Sequence, residues 1–306
     1  SAFLMNNDSD PLVEFPHTPV MVEEVMGYLR PLSGQIILDC TVGNGGHASK
    51  IVNCIGPGGL LLGIDKDMDI LQIAKQNLTK VGGRFKLYQS NYTDFDEVLR
   101  LAGVDKVNGV LLDLGVSSLQ FDRAERGFSF SKDGLLDMRM DQSDGITARE
   151  LIQQCDEEEL ADILWKYGEE RCSRRIARAI ILAEQKGGIT STGQLAQVVE
   201  RVVPRGKMKV HPATRVFQAL RIAVNNELES LKKFLEVIHQ YMAVGGRIVV
   251  ISFHSLEDRI VKDSFREKAH QGIFTLLTKR PLIPNDDEIV KNIRCRSAKL
   301  RAAERI

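Results

Sequence analysis

The segment Gln35-Ile36-Ile37-Leu38-Asp39-Cys40-Thr41-Val42-Gly43-Asn44-Gly45-Gly46-His47 leaves few folds open. An apolar run ends in an acid and a glycine-rich turn follows. Ala48, Ile51, Val52 and Ile55 then recur at helical spacing. A buried strand, a tight loop and a helix in that order open a nucleotide-binding α/β sheet. Glycine fits where the backbone takes positive φ or passes close to a ligand. A second acid, Asp65, ends the apolar run that starts at Leu60, where a ribose-binding carboxylate belongs. The order Gly43-x-Gly45-Gly46 departs from the dinucleotide fingerprint G-x-G-x-x-G. Asp39 would also repel a pyrophosphate. A cationic nucleoside such as S-adenosylmethionine suits this turn better than NAD.

The same rhythm continues. Met21, Val22, Val25, Met26 and Leu29 predict a short helix ahead of the first strand, behind a loose polar arm over 1–15. Ile70, Leu71, Ala74 and Leu78 predict the next helix, Phe85–Tyr88 a strand, and Val98, Leu99 and Leu101 another helix. Val107–Asp113 is a third apolar run ending in an acid. Alternating strands and helices argue for a doubly wound parallel sheet, with ligands beyond the strands' carboxyl ends. From about Asp122 to Lys209 only helical patterns appear. Thr147, Asp156 and Ser191 each precede Glu or Gln by three residues, as in capping boxes. Gly168 and Gly187-Gly188 read as helix stops. The division expected is therefore 1–121, an inserted helical domain over 122–210, and a return to the sheet over 211–306. Val216 to Ile238 reads as one long helix, Arg247–Ser252 as a returning strand and Leu256–Phe265 as a helix. Weaker strands fall near 273–279 and 293–301.

Asp113 opens Asp113-Leu114-Gly115-Val116-Ser117-Ser118, a strand end with hydroxyls where a transferase would hold its acceptor. Glu125-Arg126-Gly127-Phe128-Ser129-Phe130 and Asp137-Met138-Arg139-Met140-Asp141 mix charge with aromatics. Either Phe128 and Phe130 stack an extruded base, or the loop is a salt-bridged hinge with its rings in the core. His254, in Ser252-Phe253-His254-Ser255, lacks an evident acid to orient it and any nucleophile elbow, so it reads as a pocket wall that could touch the acceptor. Trp165 reads as core of the helical domain.

The 306 residues are 43% apolar and 27% charged, a globular composition, and no apolar run approaches the roughly 18–20 residues that span a bilayer. Formal net charge is zero, so a nucleic acid must be met by local patches. Three stretches supply them. One is Arg171, Arg174, Arg175 and Arg178 on one helical face. The second holds Arg201, Arg205, Lys207, Lys209, Arg215 and Arg221, and the third runs from Lys291 to Arg301. The five cysteines form no C-x-x-C pair and read as reduced thiols, with no metal expected.

Together these motifs resemble the MraW (RsmH) family of N4-cytosine methyltransferases of small-subunit ribosomal RNA. The stretches that carry the resemblance include His17-Thr18-Pro19-Val20, Thr41–His47, Leu112–Ser118 and Glu125–Phe130. Leu136–Met140, Tyr167–Arg171, His211–Arg215, Ile251–Arg259 and Arg296–Arg301 continue it, in the family's order. The resemblance implies a class I methyltransferase sheet with an inserted helical substrate domain. Its cofactor would be S-adenosylmethionine, lined by Gly45, Gly46, His47, Asp65, Tyr92, Asp113 and Gln120, beside Gly43 and Asp39 from the strand-end reading. Asp113, Phe128, Phe130 and His254 would form the acceptor site. Arg174, Arg178, Lys207, Lys209 and Arg215 would hold RNA. The partner implied is small-subunit ribosomal RNA or an assembling small subunit. The chain looks most like the animal mitochondrial branch, which implies the mitochondrial matrix, with the bacterial cytoplasm as the alternative. Leu119 stands where the family commonly has proline, which should loosen the turn that aims Gln120. A methyltransferase for a protein or small molecule, and an RNA-binding assembly factor that only senses the donor, stay open.

Overall fold

The computed structural model describes residues 2–4, 18–206 and 208–306. It divides into two units, Ser1–Gly115 with Leu228–Ile306, and Val116–Glu227. The strands, all in the first unit, are β1 (Phe3–Leu4), β2 (Ile36–Asp39), β3 (Leu60–Asp65), β4 (Phe85–Gln89), β5 (Val107–Asp113), β6 (Met242–Ser252), β7 (Phe274–Leu276) and β8 (Lys299–Arg305). Helices α1 (Val22–Leu29), α2 (Gly46–Ile55), α3 (Met68–Val81) and α4 (Phe95–Ala102) alternate with β2 to β5. The second unit holds α5 (Ser118–Asp122), α6 (Ala148–Gln154), α7 (Glu157–Gly168), α8 (Ser173–Lys186), α9 (Thr192–Val202) and α10 (Ala213–Asn225). Helices α11 (Glu227–Val237), α12 (Ser255–His270) and α13 (Asp286–Lys291) follow.

The sheet order is β1-β4-β3-β2-β5-β6-β8-β7. Strands β2 to β6 pair in parallel, and β8 runs antiparallel to both β6 and β7. Both faces are covered, which is why β2, β3 and β5 read as nearly unbroken apolar runs. Leu38, Leu62 and Val110 point into one layer with Phe95 and Phe234. Ile37, Leu61 and Leu111 point into the other with Ile51. The order turns back at β2, with β3 on one side and β5 on the other. Such a switch point opens a crevice beyond the strands' carboxyl ends.

Several expectations shift. Residues Phe3–Leu4 pair with Tyr88 and Gln89, so part of the supposed arm belongs to the sheet; the rest of it, and His17, lie outside the described residues. The long helix expected over Val216–Ile238 is two. Asn226 caps α10 in the left-handed region at φ 50, and Asn225 ties the break to Met138 O and Met140 N–H at 2.9 Å each. The helical unit therefore begins earlier than residue 122 and keeps α10, which was expected in the returning sheet domain. Residues Ile293–Ser297 form a 3-10 turn, not a strand. Asp156 and Ser191 make full capping boxes, and Thr147 caps α6 through Glu150 N–H.

Trp165 is corrected too. It is 58% exposed on α7, while the core of the unit is built from Leu160, Leu164, Ile176, Leu195 and Leu220. Arg126 is the opposite surprise, a buried arginine at 1% exposure. Its Nη2 donates to the carbonyls of Arg139 and Met140 at 3.0 and 3.2 Å, and its guanidinium lies 5.8 Å from the Phe128 ring centroid. Arg139 in turn grips Asp137 at 2.8 and 3.1 Å. The mixed-charge loop is tied together by its own ions, with the Phe128 ring in the core.

Candidate active site

Asp39, Asp65 and Asp113 end β2, β3 and β5, the three strands around the switch point. Thr41 joins two of them. Its N–H donates to Asp39 Oδ1 at 3.2 Å and its Oγ1 accepts the Asp113 N–H at 2.7 Å. Asp65 latches the glycine turn, accepting Gly43 N–H on Oδ2 and Asp67 N–H on Oδ1, each at 3.0 Å. Gly43 and Gly45 sit at φ 55 and 88, which a side chain would resist. Gly46 is small for a different reason, since a Cβ there would meet Pro19 at 3.0 Å. Gly45 leads into α2, whose first N–H, that of Gly46, donates to Asn44 Oδ1 at 3.3 Å.

His47 lies in the first turn of α2, 5% exposed. Its Nε2 stands 3.6 Å from Asp113 Oδ2, too far for a hydrogen bond, and neither ring nitrogen has a partner among the described residues. Three carboxylates, an imidazole whose nitrogens make no hydrogen bond among the described residues and a helix N-terminus suit a ligand that carries both cationic and anionic groups. S-adenosylmethionine has a sulfonium, an ammonium, a carboxylate and ribose hydroxyls, and this set fits it. Asp65 would take the ribose hydroxyls, and the α2 N-terminus with His47 the amino-acid end.

Burial raises Asp65 to about 6, against the pull of the Asp67 and Gly43 N–H groups. It raises Asp39 to about 7, opposed mainly by His47 and reinforced by Asp113 and Asp65. Asp39 is only 1% exposed in the ligand-free protein, deeper than Asp65 and Asp113. Its linkage has a definite sign. The native carboxyl keeps its proton up to about 7 and the free one only to 3.8, so stability present below 3.8 is lost as pH rises to 7. Asp39→Asn should therefore stabilise the ligand-free protein by about 2–4 kcal/mol at pH 8, with the gain fading as pH falls toward 3.8. Thermal melting across pH tests this, and a gain independent of pH would contradict it.

Tyr92 follows β4 in a 3-10 turn, and its ring meets Phe234 edge-on at 5.3 Å, so it is anchored in the core at the sheet's rim. His254 is corrected. An acid does stand beside it: Glu257 Oε1 lies 3.2 Å from Nε2, and Nδ1 accepts the Glu257 N–H at 3.4 Å. His254 caps α12 and is 8% exposed at its side chain. The residue missed in the sequence is its neighbour Phe253. A Cβ on Gly115 would stand 2.9 Å from the Phe253 ring, which places an aromatic against the backbone two residues past Asp113. The β5–β6 pairing of Asp113 with Ile251 brings it there. Adjacent parallel strands meet at equal height, but nothing in a single sequence announces which will be neighbours.

In the helical unit, Gln120 is 4% exposed and closes a capping box with Ser117 at 3.1 and 3.2 Å, so the turn is tight despite Leu119. Its side-chain oxygen serves that cap. Phe128 is corrected, because at 4% exposure it is enclosed in the core and presents no face to a base. Phe130 is half-buried, 4.5 Å from the His211 ring and 4.8 Å from Phe217. Arg174, Arg175 and Arg178 on α8, and Arg171 in the turn before it, are all exposed and pair with no carboxylate among the described residues. Lys209 and Arg215 are exposed as well, Arg215 donating to Glu169 O at 3.2 Å. Lys207 lies outside the described residues. Arg221 leaves the basic set, held by Glu227 at 3.0 and 3.2 Å. Arg301 also leaves it, in a buried pair with Asp258.

Residues 14–306 match the model of the MraW methylase family. The chain belongs to the MraW methylase family. Its sheet is accordingly the class I methyltransferase sheet, interrupted by a helical unit. It is 47% identical to Ribosomal RNA small subunit methyltransferase H of Geotalea uraniireducens, over 96% of this chain and 99% of that one. The protein of the same name from Acidobacterium capsulatum is 47% identical, over 94% and 98% of the two chains. That from a Cyanothece strain is 48% identical over 96% of each.

Proposed function

We propose that this chain transfers a methyl group from S-adenosylmethionine to the exocyclic N4 amine of a cytidine in small-subunit ribosomal RNA. The observation that carries the reading is the Asp65–Gly43 latch at a switch point that also holds Asp113 and His47. The names of the relatives support the RNA substrate. The donor, when bound, supplies an electrophilic methyl on a sulfonium. The chain's own work is to present the amine. A cytosine amine is a poor nucleophile because its lone pair is delocalised into the ring. The Asp113 carboxylate accepts an amine N–H, with the Leu114 carbonyl beside it, and turns the lone pair out of conjugation. As the N–C bond forms and the S–C bond breaks, the amine proton passes to Asp113 and then to water. Incubation with labelled donor and total ribosomal RNA tests the reading. Label in small-subunit RNA is expected, and label confined to protein would overturn it.

Asp65→Ala removes the ribose acceptors, each charge-assisted bond being worth about 1.5–3 kcal/mol. Calorimetric titration should show S-adenosylhomocysteine binding weakened roughly ten- to a hundredfold. Binding by the parent should also weaken as pH falls through about 6, where Asp65 takes up its proton. Unchanged affinity in a folded variant would remove Asp65 from the site.

RNA is held by exposed cations, since the chain's net charge is zero. Reversing Arg174 and Arg178, or Lys207 and Lys209, should weaken RNA binding and flatten its dependence on salt, leaving donor binding unchanged. Filter binding at several salt concentrations checks this, and parent-like slopes for both pairs would make these runs solvated faces. The compartment proposed is the mitochondrial matrix, from the resemblance to the animal branch. The bacterial cytoplasm is the alternative, and the bacterial relatives lend it support. Fractionation of cells expressing the full-length gene product decides between them.

A further inference from the structure

A planar base presented to Asp113 needs a surface to lie on, and the acid's own strand end offers none. Asp113-Leu114-Gly115-Val116 contains no ring. The adjacent strand supplies one. Leu114 N–H donates to Ile251 O at 2.9 Å, which sets the ends of β5 and β6 level. Just beyond, two residues past the paired Asp113 and Ile251, Gly115 and Phe253 lie side by side. A Cβ at 115 would come within 2.9, 3.2 and 3.4 Å of the Phe253 ring atoms Cε2, Cδ2 and Cζ. Gly115 is exposed and Phe253 half-buried, packed on one side against the core layer that holds Ile251 and Leu300 and open on the other.

The backbone of Phe253 is also fixed with more apparatus than a loop needs. Its N–H donates to Glu257 Oε1 at 3.0 Å. Glu257, 3% exposed, is in turn held against His254 at 3.2 Å, and His254 caps the same helix turn. Glu257 and His254 thus act together on the residue between the strand and α12.

We propose that Phe253 is the ring on which the extruded acceptor base, a pyrimidine of single-stranded or opened RNA, stacks beside Asp113. The His254–Glu257 pair sets its position, and Gly115 leaves room for it. This rests on the reading that the acceptor is a base amine. It replaces Phe128, which is enclosed, as the stacking partner. Enzymes that act on an extruded base commonly read it by stacking against aromatic side chains.

The test measures single-turnover methyl transfer to naked small-subunit RNA or to intact small subunits, whichever the parent methylates faster. Phe253→Leu should lower the rate or the RNA affinity by roughly five- to a hundredfold, as expected for one lost base–aromatic stack. Phe253→Tyr, which keeps the face, should stay close to the parent. Gly115→Ala should displace the ring and reproduce the defect of Phe253→Leu. All three should bind S-adenosylhomocysteine and melt like the parent. A folded Phe253→Leu variant with the parent's rate and affinity would overturn the proposal. Equal defects in the Leu and Tyr variants would overturn it too, since that pattern belongs to packing. The parent's own product decides the function separately: methyl on a ribose or a ring carbon sinks the amine reading whatever the Phe253 variants do.

Discussion

Asp113→Ala should abolish methyl transfer while the protein stays folded, binds RNA and keeps most of its affinity for S-adenosylhomocysteine. The backbone tie that shapes this strand end survives the change, because the Asp113 N–H and not its side chain donates to Thr41. In the proposed mechanism the lost carboxylate orients the amine and takes its proton. Orientation of a bound reactant is worth several kcal/mol, so a rate loss on the order of a thousandfold or more follows. Asp113→Asn makes the comparison sharper. The amide still accepts an N–H bond but is a far weaker proton acceptor, so it should fall between the parent and the alanine variant. Single-turnover kinetics at saturating RNA separates these outcomes. An alanine variant within tenfold of the parent would place the acceptor elsewhere.

The largest effect on stability should come from Asp258→Ala. Arg301 Nε and Nη2 donate to Asp258 Oδ1 and Oδ2 at 2.7 and 3.1 Å, each residue being 8% exposed. The pair joins α12 to β8, the strand that completes the antiparallel edge beside β6. Removing one partner strands a buried charge, at a cost of about 3–5 kcal/mol. Replacing both, as Asp258→Leu with Arg301→Met, should recover most of that, since an apolar pair of similar volume needs no desolvation of charge. Urea midpoints for the three proteins give the answer. A loss below about 1 kcal/mol in the single variant would mean the pair is open to water. The same geometry warns against reading Arg301 as an RNA contact, because its loss would act through the fold.

What could be read from the sequence was whatever repeats locally. Apolar runs ending in Asp39, Asp65 and Asp113 mark buried parallel strands, and the change to helical spacing after them marks the inserted unit. Capping boxes at Asp156 and Ser191 are legible because four adjacent residues contain the whole interaction. What stayed hidden depends on partners distant in the chain. Phe128 and Phe130 look alike in sequence, yet Arg126 and the helical core enclose one and leave the other half-open. Trp165 reads inward beside Ile163, Leu164 and Tyr167, while α7 is amphipathic and turns it outward. The break at Asn226 shows in the apolar spacing only as one five-residue step, Ala223 to Leu228, and its deciding signal is one backbone angle. Phe253 reaches Gly115 only through the pairing of β5 with β6.

The central claim is that the acceptor is the N4 amine of a cytidine. Nucleoside mass spectrometry of small-subunit RNA, taken before and after incubation with the parent protein and S-adenosylmethionine, tests it most directly. N4-methylcytidine should accumulate with the parent and be absent with Asp113→Ala. Appearance of 5-methylcytidine or a ribose-methylated cytidine in its place would contradict the account, because neither acceptor needs an amine to be turned toward the donor.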